Sequence, residues 1–259
     1  MLHAFADSLL GRLTLDDFVH EPIMAGAGIG MVLGLLGVLA AVTYFKKWKW
    51  LWKNWLTALD PKKIGIMYLI VSVIMLLRGF ADALLLRAQQ ATNNSIDGVE
   101  LLNADHFQQI FSAHGSIMIF FVAMGVIAAL FNLLIPQQIG SRDVAFPLLN
   151  SISFWLFAAG MIIINAPLVV GEFSNAGWLA YPPLSGLEYN PGTGVDYWIW
   201  SLQIAGIGSL LSGVNFFVTI LKMRAPGMTL MKMPIFAWST LCSTILIMAA
   251  FPILTVTLS

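Results

Sequence analysis

Six apolar stretches, each long enough to cross a lipid bilayer, constrain this chain more than any other feature. A helix rises about 1.5 Å per residue, so roughly 20 apolar residues cross the hydrocarbon core. The stretches are 22–45, 64–86, 107–135, 144–170, 197–221 and 233–258. Only 10% of the 259 residues are charged, and 59% are hydrophobic. A soluble domain carries about 25% charged residues. The expected fold class is an all-α membrane protein with six transmembrane helices, forming a single transmembrane domain over 1–259. The net charge is zero, so no basic field points to nucleic acid. Cys242 is the one cysteine, which excludes an internal disulfide and argues against a thiolate metal site. The first twenty residues are polar and mixed, without the pattern of a cleavable signal peptide, so insertion is expected to rely on the first span.

Lysine and arginine mark the cytoplasmic side of a membrane protein. Lys46, Lys47, Lys49, Lys53, Lys62 and Lys63 lie between spans one and two, Arg142 between three and four, and Lys222, Arg224 and Lys232 between five and six. These are ten of thirteen basic residues. Arg12 and Arg87 fall on the opposite side. The expected orientation has both termini outside. Trp48, Trp50, Trp52 and Trp55 interleave with the lysines, as an interfacial anchor requires. Gly26, Gly30 and Gly34 are spaced four apart in the first span, which is expected to let another helix approach.

Two charges sit inside the second span, Arg78 and Asp82. A charge at the bilayer centre costs on the order of 2.5–3.5 kcal/mol on insertion scales. Arg78 lies about 21 Å past Ile64, and Asp82 follows one turn later, about 40° around the helix. The pair is open to two readings: a structural ion pair joining helices, or a site for a polar head group or proton relay. His106 opens the third span, with Gln109 on the same face. His114 lies about 12 Å deeper and about 140° around from Gln109, so it addresses a different neighbour. It reads either as a satisfied core histidine or as an iron ligand. Tyr68, Asn132, Asp143 and Asn150 gather toward the basic side. Single asparagines there read as packing hydrogen bonds. Taken together, the set suits a water-filled proton entry path. Glu172, Glu188 and Asp196 fall on the outer surface and read as solvated. His3 and His20 lie outside the spans.

Several long stretches carry a resemblance: LLRGFADALLLRAQQA from Leu76, HFQQIFSAHGSIMIFF from His106, IGSRDVAFPLLN from Ile139, GWLAYPPLSGLEYNPGTGVDYWIWSLQ from Gly177 and NFFVTILKMRAPGMTLMKMP from Asn215. Over nearly its whole length the chain resembles subunit I of the haem-copper terminal oxidases, of the cytochrome bo-type ubiquinol oxidase branch. The resemblance implies the N-terminal half of that subunit's helix bundle, in a bacterial inner membrane. It implies that Arg78, Asp82, His106 and Gln109 bind the quinone head group. It makes His114 an axial ligand of the low-spin haem b. It makes Asp143 the start of a proton-uptake channel that passes Asn132, Asn150 and Tyr68. The cytochrome c-accepting relatives lack the quinone set, so its presence favours ubiquinol as donor.

The resemblance also implies parts that this sequence lacks. The subunit I of the family is much longer, with about twice as many helices. Its copper and high-spin haem o are held by histidines on later helices, as is the second side of the low-spin haem. Four histidines, His3, His20, His106 and His114, cannot build the oxygen-reducing centre. The expectation is either a truncated chain or one whose missing part a second polypeptide supplies, inactive alone, with the remainder of subunit I, other oxidase subunits, ubiquinol and membrane lipid as partners. A competing class is a transporter coupling ions through Arg78 and Asp82. Internal repeats or paired interrupted spans would favour it, and none is apparent. A third is a non-catalytic scaffold, which leaves the convergent polar residues unexplained.

Overall fold

The computed structural model describes residues 22–93 and 101–258. Arg12, His3 and His20 lie outside the described residues. The chain is an all-α, six-span membrane helix bundle, and the described residues contain no β-strand. The spans are α1 (Pro22–Tyr44), α2 (Pro61–Asn93), α3 (Ala104–Ile139), α4 (Pro147–Asn165), α5 (Gly194–Lys222) and α6 (Ile235–Thr257).

Each end follows from local chemistry that hydropathy alone does not register. Helix α2 starts at Pro61 because the carboxylate of Asp60 accepts from Lys62 N at 2.9 Å, and proline suits a first helical position. Helix α3 starts at Ala104 because Asn103 Oδ1 accepts from His106 N at 2.7 Å. It closes at Gly140, whose φ of 71° favours glycine, with Ser141 N bonded to Pro136 O. Helix α4 starts at Pro147 rather than at the expected residue 144. The preceding N–H groups are already taken: Ala145 N donates to Thr219 Oγ1 at 2.8 Å, and Phe146 N to Asn215 Oδ1 at 2.9 Å. At its far end α4 tightens into a short 3-10 turn, Ala166–Leu168, where Pro167 lacks an N–H donor.

Contacts divide the chain into two compact units. The first comprises Met1–Lys47, Leu76–Met118 and Ile162–Trp200. In it, α1 meets the end of α4 at Gly28, where an added Cβ would lie 2.1 Å from the Leu168 carbonyl oxygen. Among the described residues nothing lies within 4 Å of a Cβ at Gly26, Gly30 or Gly34. Four-residue spacing marks a smooth face but does not say whether another helix lies on it.

The second unit comprises Trp48–Met75, Ile119–Met161 and Ser201–Ser259. Its core joins Phe131, Ile135 and Ile139 of α3, Val144, Phe216 and Ile220 of α5, and Met233, Ala237 and Leu241. The lysine- and tryptophan-rich stretch is helical over 48–56, and Trp48, Trp50 and Trp52 are exposed, as an interfacial anchor requires.

Candidate quinol site, haem ligand and proton path

In the first unit, four of the expected residues meet at one cleft of about 590 Å³: Arg78 and Asp82 of α2 and His106 and Gln109 of α3. The rest of its wall is largely apolar, including Ile23, Leu85, Ile164, Leu168 and Phe173. A mostly apolar cavity with a few convergent polar groups is the usual form of a small-molecule site.

Asp82, His106 and Gln109 are buried. Arg78 Nη1 donates to Asp82 Oδ1 one turn along α2, which neutralises both charges within a single helix. The pairing is incomplete. Asp82 Oδ2 and Arg78 Nε are buried without a hydrogen-bond partner. Unsatisfied buried polar atoms are costly and call for a specific reason. Here one acceptor and one donor stand beside the cleft, each with hydrogen-bonding capacity left over.

His114 does not line this cleft. Its Nδ1 lies 2.9 Å from the carbonyl oxygen of Gly79 on α2. A carbonyl only accepts, so Nδ1 carries the proton of this contact, and in the neutral ring Nε2 would be the nitrogen left to accept. The backbone contact fixes the ring orientation, as the outer partner of a metal-ligating histidine does. Gly115, the next residue, lies under Trp178: a Cβ there would be 2.9 Å from the Trp178 Cβ. His114 itself is half-buried, and its imidazole is of a donor type that would suit haem iron. Among the described residues, no group of three or more His, Cys, Asp or Glu is disposed to hold a metal ion.

In the second unit, three of the four proton-path residues are linked. Asn150 Nδ2 donates to Asn132 Oδ1 at 2.6 Å, and Asn132 Nδ2 donates to Ala128 O at 2.9 Å. Tyr68 OH lies 3.2 Å from Ser153 Oγ, which donates to Asn150 O at 2.7 Å. Asn132, Asn150 and Ser153 are fully buried, and Asn150 Oδ1 has no partner. Asp143 is not joined to them. Its Oδ1 accepts from Val144 N at 2.7 Å, within its own connection. A second cavity, of about 650 Å³, is lined by Tyr68 with Ser209, Ser212 and Ser243. Ser212 Oγ, on one of these lining residues, is buried without a partner.

Sequence reasoning missed several participants. Ser153 stands three residues after Asn150, so helical spacing alone could have put it on the same face. Asn215 and Thr219, which fix the entry to α4, are four apart in α5 and were legible in the same way. By sequence Glu172 reads as solvated. It is exposed, but its Oε2 accepts from Gln109 Nε2 at 3.4 Å. Nothing in the spacing of Glu172 signals that contact.

Comparison with known proteins shows the family of the chain. Residues 63–259 match the family "Cytochrome C and Quinol oxidase polypeptide I". The chain is 55% identical over 252 residues to cytochrome bo(3) ubiquinol oxidase subunit 1 of Buchnera aphidicola subsp. Acyrthosiphon pisum, covering 96% of this chain and 38% of that protein. It is 54% identical over 249 residues to ubiquinol oxidase subunit 1 of Acetobacter aceti, covering 96% of this chain and 37% of the relative. It is 52% identical over 252 residues to a probable cytochrome c oxidase subunit 1 of Bradyrhizobium diazoefficiens, covering 97% and 38%. The chain belongs to the subunit I family of haem-copper oxidases, with close relatives among the cytochrome bo(3)-type ubiquinol oxidases. It spans about 38% of the length of the first of these relatives.

Proposed function

We propose that this chain carries the ubiquinol-binding site, one axial ligand of a low-spin haem b and the entry of a proton path in a proton-translocating ubiquinol:oxygen oxidoreductase. The oxygen-reducing centre, with haem o and copper, lies in parts of the assembly beyond this chain. The remainder of subunit I, other oxidase subunits and membrane lipid are its partners. The setting is a bacterial inner membrane, with the basic connections in the cytoplasm and the N-terminus outside.

One observation carries the reading. Arg78, Asp82, His106 and Gln109 border a single apolar cleft, with Asp82 Oδ2 and Arg78 Nε left unpaired. An aromatic diol with an apolar tail supplies what they lack. Its hydroxyls donate to the carboxylate and imidazole, and its oxidised carbonyls accept from the guanidinium. Asp82 and His106 are the groups suited to take the two protons released on oxidation. His114 Nε2 would hold a haem, which would supply one-electron chemistry when bound. Tyr68, Asn132 and Asn150 form a separate hydrogen-bonded set suited to ordering water for proton uptake. Asp143 serves as the collecting carboxylate at its mouth.

The test is substitution in the assembled oxidase. His114→Ala is expected to abolish the low-spin haem absorption band, whereas Arg78→Gln and His106→Ala leave that band and depress ubiquinol turnover. Normal quinol kinetics in both of the latter variants would refute the reading.

A further inference from the structure

We infer that Glu172 is a positioning residue for substrate recognition, fixing the orientation of the Gln109 amide in the cleft so that the site distinguishes the reduced from the oxidised carrier. The inference rests on the quinol reading above.

Gln109 is 7% exposed and lines the cleft, and its Nε2 donates to Glu172 Oε2. A side-chain amide can turn over and exchange its donor and acceptor ends. An ionised carboxylate accepts only. It therefore holds the NH2 end toward itself, because the flipped amide would set oxygen against oxygen. The amide oxygen is left as Gln109's acceptor toward the cleft. A quinol hydroxyl can donate to that oxygen, and a quinone carbonyl cannot.

Glu172 is exposed, yet the chain on either side of it is anchored. Gly171 is buried with φ of 85°, a conformation that favours glycine. Phe173 is buried and lines the same cleft. The backbone of Phe173 lies against Gly194, where an added Cβ would stand 2.5 Å from the Phe173 carbonyl carbon. Beyond it, Asn175 N donates to Asn190 Oδ1 at 3.0 Å, and Gly177 N to Ser112 Oγ on α3 at 2.9 Å. The carboxylate is thus presented from a fixed stretch of backbone at the rim of the site.

The test compares Glu172→Gln and Glu172→Ala with Asp82→Asn in the assembled oxidase. For Glu172→Ala, the KM for ubiquinol is expected to rise about threefold to tenfold, the range of one modest hydrogen bond, with kcat within about twofold. Product inhibition by ubiquinone should strengthen relative to KM, because discrimination is lost. Glu172→Gln, whose amide oxygen still accepts from Gln109, should show a smaller change in the same direction. The low-spin haem spectrum should stay unchanged, which also shows that the variants assemble. Unchanged KM and product inhibition in Glu172→Ala, alongside impaired Asp82→Asn, would overturn this inference and leave the quinol reading standing. If Asp82→Asn were also unimpaired, both would fall.

Discussion

Replacing Asp82 by asparagine separates the chemistry of the cleft from its architecture. The Asp82 and Arg78 side chains are 4% and 22% exposed, so little water is available to compensate a lost partner. Asparagine keeps the volume, and its oxygen still accepts from Arg78. At the second position, the unpaired acceptor Oδ2 becomes an NH2 donor. A quinol hydroxyl that donated to Oδ2 then meets a donor. Hydrogen bonds to charged groups contribute about 1.5–3 kcal/mol. At about 1.4 kcal/mol per tenfold, kcat/KM for ubiquinol should fall roughly 10- to 150-fold. Alanine is a poorer probe, because it strands the guanidinium and costs about 3–5 kcal/mol of stability as well. The assay is steady-state ubiquinol oxidation by the assembled oxidase, normalised to low-spin haem content. A kcat/KM within twofold of the unsubstituted enzyme, at full haem content, would refute the assignment of Asp82 as a substrate-contacting acceptor.

Other outcomes follow from the same structure. Gly28→Ala drives a methyl group into the Leu168 carbonyl, whereas Gly30→Ala meets nothing among the described residues. Thermal unfolding of the detergent-solubilised complex should show a loss of about 1–3 kcal/mol for the first and almost none for the second; equal effects would contradict the packing described. Asn150→Ala removes the donor to Asn132 Oδ1 inside a fully buried pair. It should cost about 1–3 kcal/mol and slow proton uptake in proteoliposomes while leaving the KM for ubiquinol unchanged. Asn103→Ala removes the cap at the first turn of α3, which carries His106. About 1 kcal/mol of stability should be lost, with a raised KM for ubiquinol and an unaltered low-spin haem spectrum.

The sequence by itself determined that this is a six-span helical membrane protein, because hydrocarbon thickness and backbone hydrogen bonding leave long apolar runs almost no other form. It also exposed Arg78, Asp82, His106 and Gln109 as anomalies, since polar groups are rare in such runs. Helical periodicity put Arg78 with Asp82, and His106 with Gln109, on shared faces. Tertiary structure alone decided what those faces meet. It closed one cleft around the four residues, turned His114 onto the Gly79 carbonyl, brought Ser153 to Tyr68 and set Asp143 apart from the asparagines. It also set Gly28 against the Leu168 carbonyl, and brought Glu172 to Gln109 across 63 residues. The physical reason is that hydropathy and periodicity are local properties of one helix. The partner of a buried polar atom is supplied by another segment, and packing between segments selects it.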